Sequence, residues 1–353
     1  MPGNSFGNIF RITTFGESHG HGIGVVIDGC PPKISLSTDD FARDMARRRP
    51  GGHAFSTPRK EEDQVEILSG VFEDMTTGTP ITIFIRNKDA DSRPYEVIRR
   101  LFRPGHADYT YHKKYGHFDF RGGGRASARE TAARVAAGVV AGKILETSGI
   151  KVAAYTVELG GIKAEDINFS LMDEGPFYCP DPVASKQMEE AASRAKKEGD
   201  SLGGIVEVRV TGCPAGLGEP VFDKLDADLA KAIMSVGAVK GVEIGAGFNA
   251  AGLNGSENND PITQDGFSSN RSGGILGGIS NGEEIVLRAA VKPIPSISRE
   301  QDTVDREGRS AKLNLGGRHD MSAIPRIIPV LEAMVRIVLA DHKLRLKTLL
   351  RDI

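Results

Sequence analysis

The chain has 353 residues, which is enough for a large core and, by length alone, for two or three domains. Its formal net charge of −2 excludes a general polyanion-binding protein, and its 39% hydrophobic and 26% charged residues are ordinary for a globular one. Three widely spaced cysteines disfavour a disulfide framework and a zinc site, so we expect no metal centre and a cytoplasmic protein. We also expect no signal peptide and no membrane span, because the N-terminus lacks a basic segment followed by an apolar one and the apolar stretch near the C-terminus is interrupted by Glu332 and Arg336.

The first part of the sequence predicts four strands and a helix. The strands are expected in the segments NIFRITTFGE, GIGVVIDG, DQVEILSGVF and TPITIFIRN, with a glycine-rich turn at 16–24 between the first two. The helix is expected in STDDFARDMARRR, where Ser37 or Thr38 is the cap, acids lie in the first turn and arginines in the last.

The rest of the sequence is richer in helices. A helix is predicted from Ala126 to Ser148, with Gly149 as its stop, and its many alanines and glycines indicate a buried central helix with close neighbours. The amphipathic segment PVASKQMEEAASRAKKEG predicts a helix that ends at Gly199. The remaining predicted elements are a strand in GGIVEVRVTG, a helix in KLDADLAKAIMSV, strands around GVEIGAGF and EEIVLRAAVKP, a loop-rich segment at 252–284 and a helix from about Pro325 to Leu350 that includes Pro329.

The order of these elements favours an α+β fold over a doubly wound parallel sheet, because strands and helices do not alternate strictly. Segments 68–90 and 276–296 both read as a glycine turn, a second glycine, an apolar strand and then a lysine. This echo fits either a duplicated β unit or chance. No segment resembles a flexible linker, so we expect one domain over residues 1–353.

Two histidine-bearing turns are candidates for proton transfer. FGESHGHGIG places Ser18 and His19 among four glycines, and RPGHADYTY places His106 between Arg103 and Asp108. A histidine in such a turn can donate a proton near neutral pH. A surface histidine in a tight turn explains the first pattern as well, and a loop whose charges pair with one another explains the second.

The segment FRGGGRASARETAAR is the sharpest local indication of binding. A triple glycine leads into the predicted helix, where backbone N–H groups, the positive helix end and the guanidinium groups of Arg125 and Arg129 would together bind an anion. Helical spacing would place Arg125 and Arg129 on one face, with Ser127 to the side. The alternative is a capped helix whose arginines cover the surface. The RRRPGG cluster, which contains Arg48 and Arg49, also has two interpretations. It is either the end of a helix, where arginines complement the helix dipole, or a basic arm that closes over an anionic ligand.

These patterns leave two classes of function. One is an enzyme that acts on a small polyanion with histidine acids and a bound planar cofactor, and the other is an RNA-binding module built on an arginine-rich loop. The net charge and the lack of an RNA-binding signature favour the enzyme over nucleic-acid binding. We expect the arginine-rich loop to be mobile without its ligand, because like-charged side chains repel when no anion lies between them.

The sequence resembles the chorismate synthase family along its whole length. The matching segments are, in order, FGESHG, RPGHADYTY, DFRGGGRASARETAARVAAG, CPAGLGEPVFDKLDADLAKAIMSVGAVKGVEIGAGF, RSGGILGGISNG and GRHD. The resemblance implies a β-α-β sandwich, with helices held between antiparallel sheets, and a homotetramer. It also implies a lyase that converts 5-enolpyruvylshikimate 3-phosphate into chorismate and phosphate. That anti 1,4-elimination needs reduced FMN, although it involves no net redox change.

The same resemblance implies roles for particular residues. His19 would protonate the flavin system, His106 would lie near the substrate phosphate, and Asp320 would assist proton transfer at the flavin, with Ser18 and Ser127 as hydrogen-bonding partners. The implied flavin contacts are Arg125, Ala126, Ser127, Gly237, Ala238, Gly277, Lys292, Pro293, Ile294, Pro295, Ser296 and Arg318. The implied substrate contacts are Arg48, Arg49, Arg103, Arg129 and Arg134, and Arg48 would also contact NADP.

The chain departs from the family pattern at three places. Ala126 stands where many members have serine, so a contact there would use the backbone, and Ala54 stands where many have an arginine, which removes a second NADP contact. In the motif that contains Asp320, this chain has GRHDMS where the family usually has GRHDPC, so the two residues after Asp320 differ. The chain also lacks the long insertions of members that reduce their own flavin with NADPH. We therefore expect a monofunctional enzyme that depends on an external flavin reductase.

Overall fold

The computed structural model describes residues 3–51, 55, 62–88, 99–315 and 320–349. Within these residues the strands are β1 (Ser5–Phe6), β2 (Arg11–Gly16), β3 (Gly22–Asp28), β4 (Val65–Ser69), β5 (Val71–Phe72), β6 (Met75–Thr76), β7 (Ile81–Arg86), β8 (Lys151–Leu159), β9 (Ile162–Lys163), β10 (Gly204–Thr211), β11 (Val239–Ile244), β12 (Ile262–Thr263), β13 (Gly266–Phe267), β14 (Ile275–Leu276), β15 (Ile279–Ser280), β16 (Ile285–Val291), β17 (Gln301–Val304) and β18 (Ser310–Leu313). The α-helices are α1 (Ala42–Arg48), α2 (Asp108–Tyr115), α3 (Thr131–Glu146), α4 (Pro182–Glu198), α5 (Leu225–Met234), α6 (Gly255–Asn258) and α7 (Ile324–Leu349). None of these helices combines the length and the apolar character needed to cross a membrane.

Two five-stranded sheets form the frame of the molecule. The first has the strand order β1-β2-β3-β7-β4 and the second the order β11-β16-β10-β8-β9. The strand pairs within both sheets are antiparallel. In β7 the side chains of Ile81, Ile83 and Ile85 are fully buried, because alternate residues of a strand face the same side. The predicted α+β class is confirmed.

The two sheets share one topology. In the first sheet, β2, β3, β7 and β4 lie side by side in that order, and in the second sheet β8, β10, β16 and β11 do the same. In each set, the strand that comes last in the chain therefore lies between the second and the third. A long helix follows each set, α3 after the first and α7 after the second. The echo in the sequence contains β7 and β16, which occupy equivalent places in the two sheets. This correspondence favours duplication over chance as the origin of the echo.

Helices α3 and α7 lie between the sheets, as in a β-α-β sandwich. Helix α3 packs on β2, β3 and β7, α7 packs on β8 and β10, and the two helices pack on each other. At their crossing, a methyl group on Gly138 would lie 2.3 Å from Ala333 Cβ, so the backbones approach as closely as glycine permits. The prediction of a buried central helix is confirmed.

The predicted helix ends are mostly confirmed, but the central helix begins later than predicted. Ser37 caps the turn before α1, where its N–H donates to Asp40 Oδ2 at 2.8 Å, and Gly199 ends α4 with a φ of +68°. Helix α3 begins at Thr131 rather than Ala126. The reason is local: residues 122–124 have positive φ, and Ser127 is extended.

Candidate active site

The turn that carries His19 packs against the triple glycine. A methyl group on Gly122 would lie 2.2 Å from the ring atoms Cε1 and Nδ1 of His19 and 2.8 Å from Ser18 Oγ. The hydroxyl of Ser18 lies 3.2 Å from His19 Nδ1. Because Gly122 also has a φ of +57°, a side chain there would meet both strain and a clash. The glycines therefore allow the histidine ring to reach the backbone of this loop.

The loop that carries His106 lies against the segment after β16. His106 Nε2 and Ser296 Oγ are 2.8 Å apart, and Lys292 Nζ donates to Gly105 O at 2.7 Å. A methyl group on Gly105 would lie 2.7 Å from Pro295 Cβ. Lys292, Pro295 and Ser296, which were predicted as flavin contacts, thus contact the loop of the histidine that was predicted to lie near the substrate phosphate.

The triple glycine also reaches the loop of His106, so the two histidines belong to one region. A methyl group on Gly123 would lie 3.6 Å from a guanidinium nitrogen of Arg103 and 4.0 Å from Ser127 Cβ. Arg103 N–H groups bind the Asp108 carboxylate at 2.7 and 2.8 Å. Burial alone would raise the pKa of Asp108, but the hydrogen bonds and charge of Arg103 outweigh it and hold that pKa below its usual value.

Arg48 and Arg129 share the carboxylate of Asp63. Arg48 Nη2 donates to Asp63 Oδ2 at 2.6 Å, and Arg129 Nη1 donates to Asp63 Oδ1. All three residues are buried, with exposed fractions of 1%, 4% and 3%. Burial opposes ionisation of Asp63, but the charges of the two arginines hold its pKa below the usual value. Asp63 was not found from the sequence, because an acid in the run EEDQ resembles a solvated surface residue.

Asp320 is tied to this buried cluster through Arg326. Arg326 Nη1 donates to Asp320 Oδ2 at 2.7 Å, and its Nε donates to Arg48 O at 3.2 Å. The predicted catalytic aspartate therefore lies near the predicted NADP and substrate arginine. Two other positions from the sequence, Arg318 and Ala54, lie outside the described residues.

The predicted shared helical face of Arg125 and Arg129 is wrong, because the chain at these residues is not α-helical. Arg125 instead donates to Gly16 O at 3.1 Å and to Thr14 Oγ1 at 2.7 Å, at the end of the strand that leads to the His19 turn. Ala126 is exposed. Ser127 Oγ accepts from the N–H of Arg129 at 3.3 Å, so it caps a short turn rather than a long helix.

The loop before β11 meets the predicted flavin segment at Lys292. The N–H of Lys292 donates to Ala238 O at 2.9 Å. Ala238 has a φ of +75°, and a methyl group on Gly237 would meet no described atom within 4 Å. Burial and the charge of Lys240 lower the pKa of Lys292. In the same segment, Ile294 O accepts from Ser201 Oγ at 2.6 Å, and Pro293 packs on Gly203.

Three of the predicted site residues, Arg49, Gly277 and Arg134, are exposed or bind residues other than those around the two histidines. Arg49 is exposed at the end of α1, and Gly277 is exposed at the tip of the β14–β15 hairpin. Arg134 donates to Glu130 Oε2 at 2.9 Å and to Ser235 Oγ at 2.6 Å. The described hydrogen bonds and glycine contacts do not join Arg49, Arg134 or Gly277 to His19 or His106.

The described arginines of the loop each have an acidic partner. The pairs are Arg103 with Asp108, Arg121 with Asp119, Arg125 with Glu130, Arg129 with Asp63, and Arg134 with Glu130. These acids partly offset the repulsion between arginines on which the prediction of a mobile loop rests. Mobility of the loop without a ligand stays a prediction.

Comparisons with known proteins agree with one another. The family model described as chorismate synthase matches residues 10–344. A chorismate synthase of Syntrophus aciditrophicus is 61% identical over 350 residues, which cover 98% of this chain and 99% of the relative. One of Desulfosudis oleivorans is also 61% identical over 350 residues, with 99% of both chains covered. A solved structure described as the crystal structure of chorismate synthase superposes with a TM-score of 0.77 at 34% identity, covering 96% of this chain and 93% of the other.

The class of protein follows from these matches. The chain is an enzyme, a carbon–oxygen lyase that acts on phosphates, which confirms the enzyme class that the sequence favoured. It belongs to the chorismate synthase family.

Proposed function

We propose that this enzyme converts 5-enolpyruvylshikimate 3-phosphate into chorismate and phosphate by an anti 1,4-elimination that uses reduced FMN and has no net redox change. One observation carries the proposal beyond family membership. The turn of His19 and the loop of His106, which come from distant parts of the chain, both contact one glycine loop, His19 at Gly122 and Arg103 at Gly123, and Lys292 binds Gly105 O beside His106. A leaving phosphate needs proton donors and cations in this arrangement.

The residues present fit a flavin phosphate. Burial and, to a smaller extent, the charge of Lys240 lower the pKa of Lys292, and an anionic group bound beside Lys292 would oppose this shift. Gly237 leaves open space where a side chain would project. When bound, reduced FMN supplies the electron density that C–O cleavage requires. The proposed contacts are Arg125, Ala126, Ser127, Gly237, Ala238, Gly277, Lys292, Pro293, Ile294, Pro295, Ser296 and Arg318.

The histidines and their partners are proposed to handle protons. His106 would donate from its ring to the departing phosphate, with Ser296 at 2.8 Å from Nε2 to orient the imidazole. Ser18, at 3.2 Å from Nδ1, would orient His19 in the same way. Asp320 and Ser127 complete the proposed catalytic set.

The arginines are proposed to hold the anionic substrate, since the guanidinium fork matches carboxylate and phosphate groups. The proposed substrate contacts are Arg48, Arg49, Arg103, Arg129 and Arg134. Arg48 is also the proposed contact for NADP. The bonds of Arg48 and Arg129 to Asp63 give these two a structural role as well.

We propose further that the chain forms one domain, assembles as a homotetramer and acts in the cytoplasm. An external reductase would supply reduced flavin, with NADPH as the alternative source of electrons. Three free, buried cysteines are consistent with a reducing compartment.

The test is anaerobic release of phosphate from 5-enolpyruvylshikimate 3-phosphate. Reactions would contain photoreduced FMN, oxidised FMN or no flavin, and a fourth would contain oxidised FMN with NADPH. Release with photoreduced FMN alone supports the proposal and a monofunctional enzyme, and release in the fourth reaction shows that the enzyme reduces its own flavin. Folded protein that binds FMN but releases no phosphate in any reaction would refute the proposed reaction.

A further inference from the structure

The turn that carries His19 is held from outside by Asn87, which follows strand β7. The backbone N–H of Asn87 donates to His21 O at 3.1 Å. Its side-chain Nδ2 donates to Glu17 O at 3.0 Å and to Gly20 O at 2.9 Å. One residue therefore binds carbonyl groups on both sides of His19.

The orientation of the Asn87 amide is determined by its partners. Arg129 Nε donates to Asn87 Oδ1 at 2.9 Å. A guanidinium group only donates and a peptide carbonyl only accepts, so a 180° rotation of the amide would lose its bonds to Arg129 and to both carbonyls. Asn87 Nδ2 must therefore face the turn.

Arg129 is itself held firmly. It is 4% exposed, and its other two nitrogens donate to Asp63 Oδ1 and, at 3.2 Å, to Arg86 O. A chain of hydrogen bonds thus runs from the buried Asp63 through Arg129 and Asn87 to the turn of His19.

The position of this turn matters because His19 has little free space. Its ring lies against Gly122, where even a methyl group would come within 2.2 Å. Displacement of a reacting group by about 1 Å can lower a rate by about 100-fold. A turn that lost its external bonds would therefore move the imidazole relative to the rest of the site.

We propose that Asn87 is a positioning residue for His19, and that it acts by donating from Nδ2 to the carbonyl groups of Glu17 and Gly20. The inference rests on the role of His19 in the proposed function. Its alternative is that Asn87 only supports Arg129 and has no effect on His19.

Two variants separate these alternatives. Asn87→Asp has nearly the same shape and retains an acceptor for Arg129, but it cannot donate to the carbonyls. Asn87→Ala removes both. We expect each variant to lower kcat by about 10- to 100-fold, and in Asn87→Asp, which retains the acceptor for Arg129, KM for the substrate should change by less than about threefold, because positioning affects the chemical step more than binding. The control is Lys88→Ala, which removes the neighbouring surface pair with Glu62 and should leave kcat unchanged.

The second readout does not depend on turnover. In FMN-free protein with labelled histidine, the His19 ring signal is identified among the eight histidines by its loss in His19→Gln. Both Asn87→Asp and Asn87→Ala should shift that signal while the His106 signal stays in place, and because alanine adds no charge, its shift cannot come from the negative charge that aspartate introduces near His19. A wild-type His19 signal together with wild-type kcat in Asn87→Asp would overturn the proposal, even if Asn87→Ala were inactive or unfolded. If the wild type releases no phosphate with reduced FMN, the proposed function fails, whereas the histidine signals still report on Asn87.

Discussion

At the scale of single residues, Asp63 binds two of the arginines of the candidate active site. Its carboxylate lies between Arg48 and Arg129, and these two arginines connect to Ala128 O and to Asn87. A buried carboxylate with two guanidinium partners remains ionised, whereas Arg48 without it would be a buried charge that has lost its described acidic partner. Asp63 therefore stabilises the loop around the candidate active site without being proposed to contact a ligand.

Asp63→Asn should lower the free energy of unfolding at neutral pH by about 3–5 kcal/mol, because it takes the described carboxylate partner from the buried guanidinium of Arg48 and one ion pair from that of Arg129. The folded pKa of Asp63 lies below its usual value, so its contribution is present above the unfolded pKa and is lost as the pH falls through the folded pKa. The difference between wild type and variant should therefore narrow in acid. Urea unfolding at several pH values measures it.

The matched control for Asp63→Asn is Glu66→Gln, which removes the exposed pair with Arg86 and should cost no more than about 1 kcal/mol. A cost for Asp63→Asn equal to that of the control would mean that the buried cluster adds no stability.

His19→Ala and His106→Ala should each reduce turnover by about 10²–10⁴-fold, the usual effect of losing an acid–base group. The control is His21→Ala, because the side chain of His21 is exposed on the same turn. Phosphate release under anaerobic conditions with reduced FMN measures the effect, and FMN binding should survive at least one of the two changes. Near-normal turnover in both would remove the proposed histidine roles.

At the scale of elements, the crossing of α3 and α7 determines the thickness of the sandwich. Gly138 lies at this crossing against Ala333, whereas Gly142, one turn further along α3, lies beside the flexible side chain of Arg336. Two glycines of one helix thus differ in burial and in what a side chain would meet.

Gly138→Ala and Gly142→Ala should therefore have opposite effects on stability. At Gly138 the new Cβ would lie 2.3 Å from Ala333 Cβ, and the overpacking should cost about 1–3 kcal/mol despite the better helix propensity of alanine. At Gly142 the nearest described atom is Arg336 Cδ at 3.5 Å, so the propensity gain of up to about 1 kcal/mol should remain. Chemical denaturation compares the two, and equal shifts would contradict the tight crossing.

At the scale of the whole molecule, the two repeated halves depend on each other. Helix α7 of the second half packs on α1 and α3 of the first. Asp341 of α7 also accepts from the N–H groups of Asn8, Ile9 and Phe10, at 3.1, 2.7 and 2.9 Å for Oδ1. The C-terminal helix therefore closes the structure onto the beginning of the first sheet.

Neither half should fold alone, because each would expose the apolar face of its long helix to water. Residues 1–149 and 150–353, expressed separately, should lack near-ultraviolet circular dichroism and resistance to protease, whereas the full chain shows both. A cooperative unfolding transition in either half would show that the repeats are independent domains.

Local patterns in the sequence determined the elements of this protein. The alternation in TPITIFIRN, the caps at Ser37 and Gly199 and the alanine-rich helix depend on neighbouring residues, so they could be predicted without the fold. The family resemblance named His19, His106 and Asp320. The start of α3 was predicted wrongly, because three glycines with positive φ override the propensity of the alanines and arginines that follow.

The tertiary structure alone decided which residues meet. Asp63 and Asn87 carry no local signal, since an acid before a strand and an asparagine after one are ordinary surface residues in a sequence. They join the site because β4 and β7 are neighbours in the sheet, and because Arg129 from the loop before α3 reaches both. Composition and spacing encode local structure through short-range forces, whereas the pairing of buried charges depends on contacts between residues far apart in the chain.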